Sequence, residues 1–258
     1  MQKSTASNYP VAFGLTSLLM LGSANFAFAA PEEIQVYADE FVDKGTFGLD
    51  LHTNYVPLVQ NNSTDPPRRQ LRLTPELSYG LSDHFETAAY FLTNRPAGND
   101  PQTDGVKLRL KWRPLIPTDQ TTWYAAINIE IGKLSRRFNA DGSNGEIKGI
   151  LSWKSTSWSA AFNLNIDRPL KRNTFQPTTL ELDSRVAYRL RDRVQLGVEN
   201  YAFLGPVHGD TPGINPSRTT FIVSDFAIGK WDINLGIGSA YGNIADKAII
   251  KVIIGVPI

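Results

Sequence analysis

Residues 105–114, GVKLRLKWRP, set Lys107, Arg109, Lys111 and Arg113 at alternate positions, with Val106, Leu108, Leu110 and Trp112 between them. Successive side chains of a strand leave opposite faces. The stretch therefore reads as a ribbon that is basic on one side and apolar on the other. Residues 158–167 repeat the pattern in neutral form: Trp158, Ala160, Phe162, Leu164 and Ile166 share one face, and Ser159, Ala161, Asn163, Asn165 and Asp167 the other. Leu71, Leu73, Leu77 and Tyr79 likewise oppose Arg72, Thr74, Glu76 and Ser78, and Ile250, Val252, Ile254, Val256 and Ile258 share a face at the end of the chain.

Extended along the chain, period-two reading predicts twelve strands, at 46–56, 70–80, 83–93, 105–114, 121–132, 145–154, 156–167, 177–190, 192–204, 217–227, 229–240 and 246–257. The alternation at 217–227 is blurred. Each strand is long enough to cross a bilayer at a tilt, whereas no apolar run after residue 30 is long enough for a membrane helix. The connections alternate between short turns, at 81–83, 154–157, 190–193 and 228–230, and long polar ones, at 57–69, 94–104, 133–144, 168–176 and 205–216. The link 114–120 is of medium length on the short side, and 241–245 is shorter on the long side. Outer-membrane barrels have this asymmetry, with short periplasmic turns and longer external loops.

The five tryptophans test the idea independently. Trp112, Trp123, Trp153, Trp158 and Trp231 all adjoin connections on the short side, and parity places each on the apolar face. Indole rings settle at the headgroup level, so the five read as one aromatic girdle, joined by Tyr79, Phe85, Tyr188 and Phe226. A soluble sandwich has no reason to collect every tryptophan at one end. The expected fold is all-β: a closed antiparallel transmembrane barrel of about 12 strands over residues 46–258.

Residues 1–30 read as a signal peptide. Lys3 starts it, Val11 to Phe28 is apolar and small, and Ala27-Phe28-Ala29 ends it in the pattern a signal peptidase reads. Residues 31–45 would be a periplasmic lead-in or would tuck into the barrel. The whole sequence has 26 Lys and Arg against 25 Asp and Glu. Removing Lys3 leaves 25 against 25, so bulk attraction to nucleic acid is not expected. With no cysteine, thiol chemistry, disulfides and cysteine metal sites are excluded.

The stretches EIQVYADE, LRLTPELSYGLSDHFE, DGVKLRLKWRP and WDINLGIG together resemble a bacterial family of outer-membrane barrels described as transporters linked to meta-pathway phenol degradation. The resemblance implies an outer-membrane location and passage of a small, aromatic solute. It carries no functional residues across. Many outer-membrane barrels finish on Phe, whereas this chain finishes on Ile258.

If the apolar faces meet lipid, Lys107, Arg109, Lys111, Arg113, Glu130, Lys148, Glu181, Asp183, Arg185, Arg189 and Glu199 point into the lumen. Turning an Arg or Lys to lipid near the midplane would cost about 2–4 kcal/mol, which gives that assignment force. The charges either set selectivity for a passing solute or balance one another in a filled lumen. The pair Glu181 and Asp183 is expected to answer some of the four cations of 105–114. Barrels of about eight strands are filled by side chains and those of sixteen or more hold water, so twelve lies between.

An enzyme is the remotest reading. Parity turns His52 inward beside Asp50 and Asn54, and His84 falls in a periplasmic turn. His208 and Asp210, with Asp100 and Asp104, would be the only loop constellation resembling a hydrolase site. No calcium-loop spacing occurs, and no metal or cofactor is expected. The glycines of GIGSAYG are read as aids to close approach in a strand, not as a phosphate loop. The Asn-x-Ser/Thr pattern within 61–64 reads as chance. The sequence thus points to passive transport of a small-molecule solute, or else to a plugged structural or surface-recognition barrel. Its expected partners are outer-membrane lipid and the barrel-insertion machinery, not nucleic acid.

Overall fold

The computed structural model describes residues 33–59, 69–116, 118, 120–135, 142–171, 177–209, 216–242 and 246–258. The expected signal peptide and the 61–64 pattern lie outside them. Twelve strands run in sequence: β1 (Phe47–Val59), β2 (Gln70–Gly80), β3 (Phe85–Pro96), β4 (Gln102–Trp112), β5 (Trp123–Leu134), β6 (Ser143–Lys154), β7 (Trp158–Pro169), β8 (Thr179–Arg191), β9 (Val194–Pro206), β10 (Ser217–Ile228), β11 (Trp231–Gly242) and β12 (Asp246–Val256). Each pairs antiparallel with its neighbour in sequence, and β1 closes on β12 through pairs from Leu49–Val256 to Val59–Asp246. Closure leaves no row of unpaired backbone groups, which is the condition for a sheet to stand in hydrocarbon.

All twelve expected strands are present, but many are displaced along the chain. Toward the long loops β3 runs on to Pro96, β5 to Leu134, β9 to Pro206 and β11 to Gly242. The backbone ladder continues there although the outward side chains no longer need to be apolar. At the short-turn end β3, β5, β7, β9 and β11 begin two residues later than the pattern predicts. Those residues are spent closing turns: Leu81 and Ser82 N–H both donate to the Phe85 carbonyl, and Ser155 N–H to that of Trp158. β8 runs the other way, starting at Thr179 rather than 177.

The polarity of the barrel is inside out. Val106, Leu108, Leu110, Trp112, Ile127, Ile129, Ile131, Phe162 and Leu164 are exposed, while Arg72, Glu76, Glu86, Arg109, Lys111, Asn128, Glu130, Asn163 and Lys251 are buried. A water-soluble protein arranged this way would leave an unbroken apolar band in solvent, so the complement of this outer face is hydrocarbon. At the short-turn end Trp123 and Trp153 are a cross-strand pair, Trp112 faces Phe85, and Trp158 meets Tyr188 edge-on at 4.8 Å between ring centroids. Tyr79 adds to the ring, packing tilted against Phe47 with 4.7 Å between ring centroids.

The blurred strand, β10, is apolar on both faces. Ile222 and Ile228 are exposed outside, and Phe221 and Val223 are buried inside. The inner apolar residues have a partner, the chain that precedes β1.

Candidate functional site

Residues 33–42 run through the barrel interior before the chain leaves the short-turn end and begins β1. They carry few side chains able to fold alone, so the wall holds their backbone. Lys251 Nζ donates to the Ile34 carbonyl at 3.0 Å. Asn163 clasps Tyr37 at two points, accepting from its N–H at 2.7 Å and donating to its carbonyl at 2.9 Å. Lys111 Nζ donates to the Glu40 carbonyl at 3.1 Å, and Val42 N–H to Glu86 Oε2 at 2.6 Å. Lys154 reaches Asp39 at 2.5 Å and the Arg113 guanidinium lies 3.7 Å from the Phe41 ring centre. At the exit the segment hugs Gly80, where a Cβ would lie 2.2 Å from the Asp43 carbonyl oxygen. Glycine is required there by space.

One wall of the lumen, β2 to β6, meets the segment with charge. Arg109 donates from Nη1 to the Tyr37 hydroxyl at 2.6 Å and also to that of Tyr90. Its Nη2 lies 2.6 Å from both Glu76 Oε1 and Glu86 Oε1. Lys111 stands 3.5 Å from Glu86, and Lys148 3.3 Å from Glu146. The Nζ atoms of Lys111 and Lys148 are each 4.7 Å from the Tyr37 ring centre, a cation–π arrangement within the usual reach. Burial holds the Tyr37 phenol well above its ordinary range against the opposing pull of Arg109, so it stays a neutral hydroxyl.

The opposite wall meets the segment with hydrocarbon. Ile34 and Val36 pack in one buried cluster with Val56, Ala161, Tyr201, Phe221, Val223 and Ile249. Tyr201 and Phe221 meet edge-on at 5.6 Å. Room for this layer comes from the inward glycines of β11: a Cβ on Gly238 would lie 2.5 Å from the Phe221 ring, and one on Gly236 2.9 Å from the Lys251 side chain. An ion-pair network is set into this wall, beginning with Lys251, which is 2.5 Å from Glu199 Oε2. Arg185 then links Glu199, at 3.5 Å, to Asp225.

Among the described residues, cavities remain on the short-turn side of the segment, and two of them flank it. One of about 480 Å³ borders Tyr37, Arg109, Lys111, Lys251 and Asp232. The other, about 330 Å³, borders Asp39, Tyr124, Lys154 and Arg189. Both touch Glu40, Arg185, Gln195 and Asp225, so they are chambers on either side of the exiting chain.

Of the charged residues singled out from the sequence, Lys107, Arg109, Lys111, Glu130, Lys148, Asp183 and Glu199 are buried, and Glu181 and Arg185 are half-buried. Arg113 lies one residue past β4, donating to the Asp83 carbonyl at 2.7 Å, and Arg189 is exposed. These two stand at the short-turn mouth rather than deep in the lumen. For Arg109 and Lys111 the expectation that Glu181 and Asp183 serve as counter-ions is corrected. Arg109 and Lys111 are answered by Glu76 and Glu86, while Asp183 accepts from Asn165 at 2.7 Å, four strands from β4. Sequence reasoning missed Glu76, Glu86, Tyr37, Tyr90 and Lys251. The signal for Glu86 was register, since a two-strand hairpin closing near 97–101 sets it directly opposite Lys111. Of the hydrolase constellation, Asp104 is buried within β4, five strands from β9, which leads to the His208 loop, and Asp210 lies outside the described residues.

No known family model matches the sequence, and no characterised relative does. Solved structures do match. An outer membrane channel from Pseudomonas putida superposes with a TM-score of 0.61 at 8% identity, covering 86% of this chain and 99% of the other. The NanC porin matches at 0.54 and 12% identity, over 80% of this chain and 97% of the porin. The KdgM porin, solved in complex with disordered oligogalacturonate, matches at 0.52 and 9% identity, over 81% and 99%. The fold is porin-like. At these identities the likeness establishes architecture alone, a closed twelve-strand antiparallel barrel.

Proposed function

We propose that the chain is an outer-membrane barrel, delivered there after signal-peptide export, that lets a small solute cross passively through a lumen narrowed by its own N-terminal segment. The carrying observation is the pair of chambers beside the N-terminal segment, whose Tyr37 is clasped by Asn163 and braced by Tyr90 and Arg109. The outward apolar belt, the tryptophan girdle and the likeness to porins and a channel support the membrane setting. The solute is small and has an apolar, aromatic part. Wall residues Phe221, Tyr201, Val223 and Ile249 offer an apolar face, which Ile34 and Val36 now cover. This agrees with the resemblance to phenol-pathway barrels. Lumen charges are largely paired, so they set the shape and orientation of the passage more than a strong preference for one ion sign.

The test is conductance and solute uptake by the purified protein in planar bilayers and vesicles. Removal of residues 33–41 should raise conductance, with phenol-sized solutes entering faster. Arg109→Glu should change ion selectivity. A chain that stays closed with or without the segment is a plugged structural barrel instead, and an Arg109→Glu protein of unchanged selectivity removes that residue from the passage.

A further inference from the structure

We propose that Glu33, His52 and Glu76 form a divalent-metal site of the zinc class that ties the N-terminal segment to the barrel wall. Glu33 belongs to the segment, His52 to β1 and Glu76 to β2. One ligand atom from each lies within 4.8 Å of the other two. A histidine nitrogen with two carboxylate oxygens is a donor set suited to zinc and its neighbours, and water would fill the open position.

Three observations raise this above a chance meeting of acids. The first is His52, which is 1% exposed and yet satisfied at one nitrogen only, Nε2, at 3.1 Å from Glu76 Oε2. Its Nδ1 has no hydrogen-bond partner among the described residues, and neither has Thr74 Oγ1, on the residue paired with it across β1 and β2. Nε2 is thus the nitrogen that faces Glu76, and the buried ring has no other hydrogen-bond partner among the described residues. The second is the division of labour on Glu76. Its Oε1 takes Arg109 at 2.6 Å and Ser78 Oγ at 3.0 Å, which leaves Oε2 facing the imidazole. Metal-binding carboxylates are held from behind by hydrogen bonds in this manner. The third is Glu33, whose Oε1 accepts from the Tyr37 hydroxyl, so the residue clasped by Asn163 also aims the segment's own ligand.

A metal here would bridge one ligand of the N-terminal segment and two wall ligands, so leaving the lumen would require breaking a coordination bond. The site rests on the position of the segment and not on transport. Its test is therefore binding.

Zinc titrated calorimetrically into the purified full-length barrel in detergent should reveal one saturable site. Glu33→Gln and His52→Gln should each weaken it at least about tenfold, the scale on which loss of groups around a metal acts. A protein carrying both His84→Gln and His208→Gln should bind like the unmodified barrel, since those are the other two of its three histidines. Zinc should also raise the temperature at which the folded gel form converts to the unfolded one, in the unmodified protein and not in Glu33→Gln. Glu33 lies outside the strands, so that variant decides the matter even if His52→Gln does not assemble. Equal affinity in Glu33→Gln and the unmodified barrel, or no saturable binding, overturns the site. Failure of conductance alone would sink the transport reading and leave the site standing.

Discussion

The two walls that grip the N-terminal segment solve one problem by opposite means. The β2–β6 wall presents Arg109, Lys111, Lys148, Glu76 and Glu86 to Tyr37, so the hold is directional and every group has a partner of opposite charge or a ring. The wall made of β9, β10, β12 and β1 presents Tyr201, Phe221, Val223, Ile249 and Val56 to Ile34 and Val36, so the hold there depends on area and fit. The difference teaches that docking a short, irregular chain inside a barrel needs both. Charge fixes where Tyr37 sits, and hydrocarbon makes the segment's apolar side prefer the wall to water.

The comparison is broken most severely from the charged side. Glu86→Ala removes the shared acceptor of Arg109, Lys111 and the Val42 N–H, leaving a buried ammonium without its counter-ion. Truncating one partner of a buried pair costs about 3–5 kcal/mol. Urea unfolding from lipid vesicles should show a loss of that order. Proteolysis should then reach residues 33–42 in the otherwise folded barrel. A loss within about 0.5 kcal/mol, the range of ordinary surface changes, would mean that Glu76 alone suffices for Arg109.

How much of this was legible beforehand differs between the same two walls. β4, β5 and β7 alternate cleanly because their inner faces are charged or amide-bearing and their outer faces are apolar, so period two alone oriented Arg109 and Asn163. β10 read as blurred because Phe221 and Val223 are apolar for a reason no local window contains: they cover residues nearly two hundred positions away. Distance also hid Tyr37, which looks like an ordinary residue of a polar lead-in although its partners Tyr90, Arg109 and Asn163 lie 53, 72 and 126 positions on. Glu76 lay in plain view on a polar face, yet its pairing with Arg109 depends on the register of three strands. The tryptophan ring was legible because the membrane interface acts on each residue separately, whereas a counter-ion is chosen by closure of the whole sheet.

The apolar wall is sharpened by an intermediate change. Gly238→Val would place its Cβ 2.5 Å from the Phe221 ring, with no neighbouring backbone able to retreat in a closed ladder. Overpacking of this kind costs about 1–3 kcal/mol. Shortening the ring should relieve it, so the double variant Gly238→Val with Phe221→Leu should be more stable than Gly238→Val alone. If the second change adds its own loss instead, the glycine is there for the strand and not for the ring.

The smallest change is the most informative about function. Val36→Ala removes two methyl groups from the fully buried contact with Phe221, Val223 and Ile249, a loss of about 1–1.5 kcal/mol by transfer alone. Global unfolding should hardly register it, because the barrel ladder survives. The balance between docked and released segment feels the whole loss, and 1.4 kcal/mol is a factor of ten in a two-state population. Single-channel recordings should therefore show openings roughly tenfold more often in Val36→Ala, while the conductance of each opening is unchanged. A phenol-sized solute that occupies the same apolar wall should raise the opening frequency of the unmodified barrel, and should do so less in Val36→Ala, where the segment already competes poorly. Unchanged opening frequency in Val36→Ala would mean that the charged wall holds the segment by itself and that the hydrocarbon contact only fills space.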